Sequence, residues 1–362
     1  MNIDRNYTFD VLKFIFAISI ALSHYSVNLP GVTIVVEFFF ILSGFFLARK
    51  YYYNREKDIC LSPYEYTLKH IKKLYLPYIF ALIMVFLYPY IKSIMFLFIG
   101  KTPEYTMKEF FLQIYDLIPE ALMLQNIGIF PGGINYPLWQ VCVLIVVSHF
   151  IYTMLFVNDK ITLNLICPLL VICNYTLFSS INDGWGKIGC FYVPLLRGIA
   201  PVCIGVILYK LVEKNYNCCN NKLYLFFFNI MGLISIIGIL KLEGYHYIYL
   251  LLSCIIIFVV SLKNTWINII FNKKEFKILG PLSYAIYLNH ALIIKIFKDI
   301  CYIIETRFGF LINNYLLKTI FVCVLLIYSV FTMRLVKFLE IKLKKITLKY
   351  DNGNKAEQKK HS

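Results

Sequence analysis

The chain has 362 residues and a formal net charge of +16, and it is 60% hydrophobic but only 15% charged, with a mean hydropathy of +0.69. Soluble domains are about 45–50% apolar and about 25% charged, so the composition excludes an ordinary soluble enzyme. The positive charge does not indicate nucleic-acid binding, because Lys and Arg concentrate in alternate loops between apolar runs, as membrane orientation requires.

Apolar runs of membrane-spanning length recur along the whole sequence, without the polar–apolar alternation that barrel strands show. We therefore predict an all-α integral membrane protein with about ten transmembrane helices and no soluble catalytic domain. The predicted spans are residues 9–28, 32–49, 75–99, 137–157, 161–178, 188–212, 222–240, 245–262, 279–297 and 315–338.

The distribution of Lys and Arg predicts that both termini lie in the cytoplasm. Of these 36 residues, 25 lie in the segments that this orientation places inside and six in the segments outside. We predict one transmembrane domain over residues 1–338 and a basic, disordered cytoplasmic tail over residues 339–362. Segment 100–136 is the longest predicted outer loop, and either acceptor binding or plain connection would suit it.

The first two predicted spans carry ionisable residues that a bilayer normally excludes: Asp10, Lys13 and His24 in the first, and Glu37 in the second. Each costs about 2.5–3.5 kcal/mol or more in hydrocarbon, which makes each a functional hypothesis. Lys13 and His24 are eleven residues apart. They therefore share one helix face, separated by roughly 16 Å along the axis.

The spacing of these residues follows two consecutive patterns, Asp10-x-x-Lys13-x10-His24 and then Glu37-x-x-x-x-x-Ser43-Gly44-Phe45. Together they resemble the membrane acyltransferase-3 family. The resemblance implies an integral membrane enzyme that moves an acyl group, usually acetyl, from acyl-CoA to a carbohydrate hydroxyl. It also places Ser43 among the candidate substrate-binding residues.

His24 is the candidate general base. Two helices joined by a short loop pack antiparallel, so His24 and Glu37 are expected at similar depth, where the carboxylate would orient the imidazole. The alternative is that His24 only bonds a neighbouring helix. Asp10 and Lys13 are expected to form an orienting ion pair or to close the CoA entrance.

A cationic stretch opens the third predicted span, where the family usually has Arg-x-x-Arg shortly before a Pro. This chain instead has His70-x-x-Lys73, overlapping Lys69-x-x-Lys72. With the family position in view, His70, Lys72 and Lys73 are candidates for binding the phosphates of acyl-CoA. Lysine lacks the bidentate fork of arginine, and an ordinary positive-inside anchor is the equal alternative.

Five later residues complete the candidate set. Ser283, Tyr287 and His290 share one helix face, and their stretch resembles the family's late S-x-x-x-Y-L-x-H helix, where His290 would hold substrate or stabilise an oxyanion. Trp139 lies in the stretch that opens the fourth predicted span, where an interfacial anchor is slightly preferred over a substrate-binding role. Arg197 lies in mid-span and needs a partner, either a carboxylate such as Glu37 or a ligand.

The sequence thus predicts an O-acyltransferase, most simply an O-acetyltransferase, of a cell-envelope polysaccharide or its lipid-linked precursor. The expected co-substrate is acetyl-CoA, the expected location is the plasma or inner membrane, and no metal site is expected. Direct transfer and an acyl-enzyme both stay open. The alternatives are a glycan or lipid-carrier transporter, and a glycosyltransferase, which would favour paired carboxylates in the loop over residues 26–31.

Overall fold

The computed structural model describes residues 5–25, 32–98, 105–130, 132–179, 186–188, 191–215, 222–241, 246–308 and 314–358. The predicted loop over residues 26–31 and the last four residues of the tail lie outside these ranges. The helices are α1 Thr8–Tyr25, α2 Val32–Glu56, α3 Pro63–Phe98, α4 Met107–Ala121, α5 Trp139–Ile161, α6 Cys167–Ser179, α7 Val193–Asn215, α8 Lys222–Lys241, α9 His246–Ser261, α10 Trp266–Phe271, α11 Leu279–Phe308 and α12 Asn314–Gln358.

Short elements connect these helices. A 3-10 turn, Tyr136–Leu138, leads into α5, and a π-helical segment, Thr162–Ile166, joins α5 to α6. Another 3-10 turn, Lys274–Ile278, leads into α11. A small antiparallel hairpin precedes α7 and consists of β1, Lys187–Ile188, and β2, Phe191–Tyr192. The fold is otherwise α-helical in the part of the chain that the structure describes.

The prediction of an all-α multi-pass membrane protein is confirmed. Within the described residues, six helical segments are long and apolar enough to cross a membrane: Thr8–Tyr25, Pro63–Phe98, Tyr136–Leu177, Val193–Asn215, Lys222–Lys241 and Asn314–Lys345. The third of these contains two of the predicted spans. Within it, Asn158 has an extended backbone (φ −157°, ψ 101°), so the helical path is interrupted where the sequence predicted a loop.

Two helices run further than predicted. Helix α11 was expected to end at residue 297, before the charged pair Lys298-Asp299, but it continues to Phe308. Asp299 accepts hydrogen bonds from Lys92 (3.1 Å) and Tyr88 (2.5 Å) of α3, so its charge is balanced within the bundle. Helix α12 continues to Gln358, through the tail that was predicted to be disordered. Leu, Lys and Glu, which favour helix, are frequent there.

Two glycines bring α2 and α7 into backbone contact. A Cβ atom on Gly44 would overlap the Val202 carbonyl, and one on Gly205 would overlap the Ile41 carbonyl. Small residues allow such close approach between membrane helices. Glu37 and Arg197 lie about two turns before these glycines on their respective helices, so the contact holds the two side chains at one height.

Helices α1 and α11 lie side by side and run in the same direction. Asp10 lies against Gly280 near the start of both helices, and His24 stacks on His290 further along. The rise from Asp10 to His24 is roughly 21 Å for an α-helix. The pair therefore presents two separate clusters of polar groups, one towards each end.

Candidate active site

Two histidines stack at the C-terminal end of α1. The ring centroids of His24 and His290 are 5.4 Å apart, with an interplanar angle of 18°. His24 is exposed, whereas His290 is 0% exposed. The ring of Tyr136 is steeply inclined to both imidazoles, at 64° to His24 and 82° to His290, with centroid distances of 5.2 Å and 5.8 Å. The structure thus brings together the two histidines that the sequence selected and adds a tyrosine that it did not.

The hydrogen bonding of His290 determines which nitrogen carries its proton. Nδ1 lies 2.7 Å from the carbonyl oxygen of Tyr287, which can only accept, so Nδ1 is the donor. In the neutral ring, Nε2 then has a free lone pair. Nε2 is buried and has no hydrogen-bond partner among the described residues. Neutral His290 can therefore accept a hydrogen bond from a substrate, but it cannot donate one to an oxyanion.

The 3-10 turn before α5 connects the histidine pair to Trp139 and Arg197. The hydroxyl of Tyr287 donates to the carbonyl oxygen of Pro137, and the next residues lead to Trp139. Trp139 is only 5% exposed, with Arg197 placed 5.4 Å from its ring centroid. The preferred prediction of an interfacial anchor is therefore wrong, because an anchor would face lipid or headgroups and not the protein interior.

Glu37 faces Arg197 and not His24. The carboxylate is 3.4 Å from Nε of Arg197, and the two side chains are 13% and 14% exposed. The expected His24–Glu37 contact is thus wrong, while the Arg197–Glu37 pair is one of the partnerships that the sequence left open. The α2–α7 backbone contact explains this, since it turns Glu37 towards α7. Within the described residues, His24 has ring contacts but no hydrogen bond.

An ion cluster lies near the start of α1. Asp10 is 4% exposed and accepts from Arg5 (2.7 Å) and from Lys13 (3.3 Å). A Cβ atom on Gly280 would collide with Asp10, so this glycine makes room for the carboxylate. The predicted Asp10–Lys13 pair is confirmed, and Arg5 is a further partner. Arg5 precedes the apolar run, so its contribution gave no signal in the span itself.

A second group of cations, the α2–α3 cation cluster, adjoins the ion cluster. Lys50 at the end of α2 lies within electrostatic range of Lys69 and Lys73 of α3, and Lys73 lies within range of Lys13. His70 is close to Lys50 and Lys73. The sequence did not select Lys50, because it lies on a different helix from Lys69 and Lys73. Lys72 is exposed and forms no ion pair or hydrogen bond within the described residues.

A cavity of about 600 Å³ lies beside this cation cluster, between the α2–α3 connection and the end of α5. Tyr152 lines it and stacks on Tyr66 at 4.0 Å, and Lys50 lies 5.5 Å from the Tyr66 ring centroid. Cations next to such a cavity could hold a phosphorylated ligand.

Two other polar residues, Ser43 and His149, belong neither to the histidine pair nor to the ion and cation clusters. The hydroxyl of Ser43 donates to the carbonyl oxygen of Phe39 in its own helix (2.7 Å), so the structure gives it a partner other than a substrate. His149 lies 2.7 Å from the Thr67 hydroxyl, a contact between helices. Among the described residues, no group of three or more His, Cys, Asp or Glu side chains could hold a metal ion.

A comparison with protein-family models identifies one match. The model is described as an acyltransferase domain, of the acyltransferase-3 type, and it matches residues 6–335. No curated protein and no solved structure matches the chain.

Proposed function

The chain belongs to the acyltransferase-3 family and is a membrane acyltransferase, and from this premise we propose that it is an O-acyltransferase of a cell-envelope glycan. The donor is acyl-CoA, in the first instance acetyl-CoA. The acceptor is a hydroxyl of an envelope polysaccharide or its lipid-linked precursor, reached from the plasma or inner membrane. The observation that carries the proposal is the stacked pair of His24 and His290, in which the buried Nε2 of His290 has no hydrogen-bond partner among the described residues.

The proposed chemistry uses one histidine as the base. His24 takes the proton of the sugar hydroxyl as its oxygen attacks the thioester carbonyl carbon. The C–S bond then breaks, and the leaving CoA thiolate accepts that proton from the imidazolium of His24. His290 Nε2 accepts a hydrogen bond from the acceptor and helps to position it. Two stacked imidazolium ions would repel each other, so the pair suits a reaction in which one proton is held at a time.

The proposed donor site is at the other end of α1 and α11. The α2–α3 cation cluster would hold the CoA phosphates, and the adjoining cavity offers room for the nucleoside. The pantetheine arm would span the distance to the histidine pair. Asp10 and Lys13 would border its path, while Glu37, Arg197 and Trp139 would support the histidine end through the 3-10 turn.

We further propose ten spans, with both termini in the cytoplasm. The cation cluster then faces the cytoplasm, where acyl-CoA is made, and the histidine pair lies towards the outside. The transmembrane domain covers residues 1–338 in this proposal, and the basic segment after it lies at the cytoplasmic membrane surface. Acetyl groups would thus be presented from inside to an acceptor outside.

The decisive test compares surface glycans of cells with and without the gene, by proton NMR of O-acetyl signals that vanish on mild alkali. The signal should disappear on deletion and return with the wild-type gene. His24→Ala should fail to restore it although the protein inserts, whereas His149→Ala, which removes another helix histidine, should restore it. Full transfer by His24→Ala would refute the mechanism, and undecorated glycan accumulating inside would favour a transporter.

A further inference from the structure

Tyr136 is the residue at this site to which no role has yet been given. Its ring contacts both histidines, and yet the residue is 40% exposed. Its hydroxyl has no hydrogen-bond partner within the described residues. A tyrosine that contacts two imidazoles and is still partly exposed offers apolar ring surface and a polar tip to a ligand.

The segment before Tyr136 is held by a buried carboxylate. Glu120, at the end of α4, is 0% exposed and accepts from the backbone N–H groups of Ile134 (2.6 Å) and Asn135 (3.0 Å). Each oxygen of this one carboxyl group accepts one of the two backbone N–H groups. Glu120 therefore fixes the two residues that directly precede Tyr136.

The same segment is also attached to the helix that carries His290. The side-chain amide of Asn135 donates to the carbonyl oxygen of Leu288 (3.2 Å), two residues before His290. The hydroxyl of Tyr78 on α3 donates to the backbone carbonyl oxygen of Glu120 (2.6 Å). These bonds tie α3, α4 and α11 together around the residue that precedes Tyr136.

We propose that Tyr136 is a substrate-contacting residue, on which the sugar acceptor packs next to His24, and that Glu120 is the positioning residue that holds it there. The identity of the ligand as a sugar rests on the proposed function. The exposed part of the Tyr136 ring would contact the apolar face of the sugar, and the Tyr136 hydroxyl would form a hydrogen bond with one of the sugar oxygens. In this proposal the segment over residues 100–136, predicted as an acceptor-binding loop or a plain connection, positions the ring of Tyr136.

The test uses full-length protein with four variants. Tyr136→Ala removes the ring, Tyr136→Phe removes only the hydroxyl, and Glu120→Gln weakens the carboxylate clamp. Asp116→Asn is the matched control, because Asp116 is an exposed acid one turn earlier on α4. Each variant is assayed for glycan O-acetylation in cells and, after purification in detergent, for acetyl-CoA binding.

Tyr136→Ala should lower O-acetylation about tenfold or more, with unchanged acetyl-CoA affinity, and Tyr136→Phe should lose less. Glu120→Gln should lower O-acetylation severalfold, and Asp116→Asn should resemble wild type. Wild-type transfer by Tyr136→Ala would overturn the inference, and so would an equal loss of acetyl-CoA binding.

A second readout does not need an acceptor. Diethyl pyrocarbonate labels accessible imidazoles, and the labelling rate of His24 can be followed by mass spectrometry. Tyr136→Ala and Glu120→Gln should both raise this labelling rate, since both remove or loosen the Tyr136 contact with the His24 imidazole. An unchanged rate in Glu120→Gln would refute its positioning role. If wild-type protein fails to acetylate any glycan, the proposed function falls together with the sugar contact, while this labelling still decides whether Glu120 places Tyr136.

Discussion

The two ends of the α1–α11 pair show what distinguishes a supporting cluster from a reactive one. At the start of α1, Asp10 is balanced by Arg5 and Lys13, and the glycine opposite leaves room for it. At the other end, His290 has a buried nitrogen with no hydrogen-bond partner in the part of the chain that the structure describes, beside the exposed ring of His24. Satisfied charges stabilise one arrangement, whereas an unsatisfied buried nitrogen is stabilised when a ligand supplies the missing bond.

The largest expected effect is at the histidine end. His290→Ala should lower acyl transfer by about 10²–10⁴-fold if Nε2 takes part in moving the proton. His290→Gln places an amide oxygen near the same position and should recover part of the activity if Nε2 only accepts a hydrogen bond. Transfer rates of both variants, measured with saturating acetyl-CoA, separate the two roles; wild-type rates in both would remove His290 from the site.

The ion pair next to this site should matter for stability. Arg197→Met leaves Glu37 buried without that partner and should cost about 3–5 kcal/mol. The double variant Glu37→Gln with Arg197→Met removes both charges and should recover most of this loss. Thermal unfolding in detergent gives the comparison. If the double variant is as unstable as the single one, the charge balance is not what the pair contributes.

At the start of α1 the expected effects are smaller. Lys50→Ala and Lys73→Ala should each raise the acetyl-CoA Kd severalfold and reduce its dependence on salt concentration, because each removes a charge near the proposed phosphate site. Lys72→Ala is the matched control, because Lys72 lies next to Lys73 on α3 but outside the cation cluster, and it should have little effect on the acetyl-CoA Kd. Equal effects of all three would indicate a general surface potential in place of a defined cluster.

The smallest expected effect concerns pH. Burial raises the pKa of Glu120 to about 7, although two backbone N–H groups oppose the shift. A carboxyl group whose pKa rises on folding stabilises the fold at low pH, and this contribution is lost as the pH rises through about 7. Glu120→Gln stays neutral, so its melting temperature relative to wild type should increase between pH 5 and pH 8. A constant difference would show that Glu120 keeps one protonation state throughout.

The sequence predicted the helical membrane fold and the two histidines, because long apolar runs and a family pattern are local signals. It misassigned the partner of Glu37, since depth along a helix does not say which neighbour a side chain faces. That direction follows from Gly44 and Gly205, which meet only in the folded bundle. The sequence also failed to select Tyr136 and Lys50, because the contacts of both residues come from helices that are distant in sequence.

Asn158 has a consequence for the shape of the bundle beside the cavity. Its extended backbone interrupts an otherwise continuous helical path from Trp139 to Ser179. The Asn158 side chain accepts from the backbone N–H of Ile161 (3.0 Å), so the break is itself hydrogen-bonded. The helical segments on its two sides therefore meet at a kink and do not form one straight helix. Asn158, Asp159 and Lys160 all line the cavity, so this break in the helix forms part of the cavity wall.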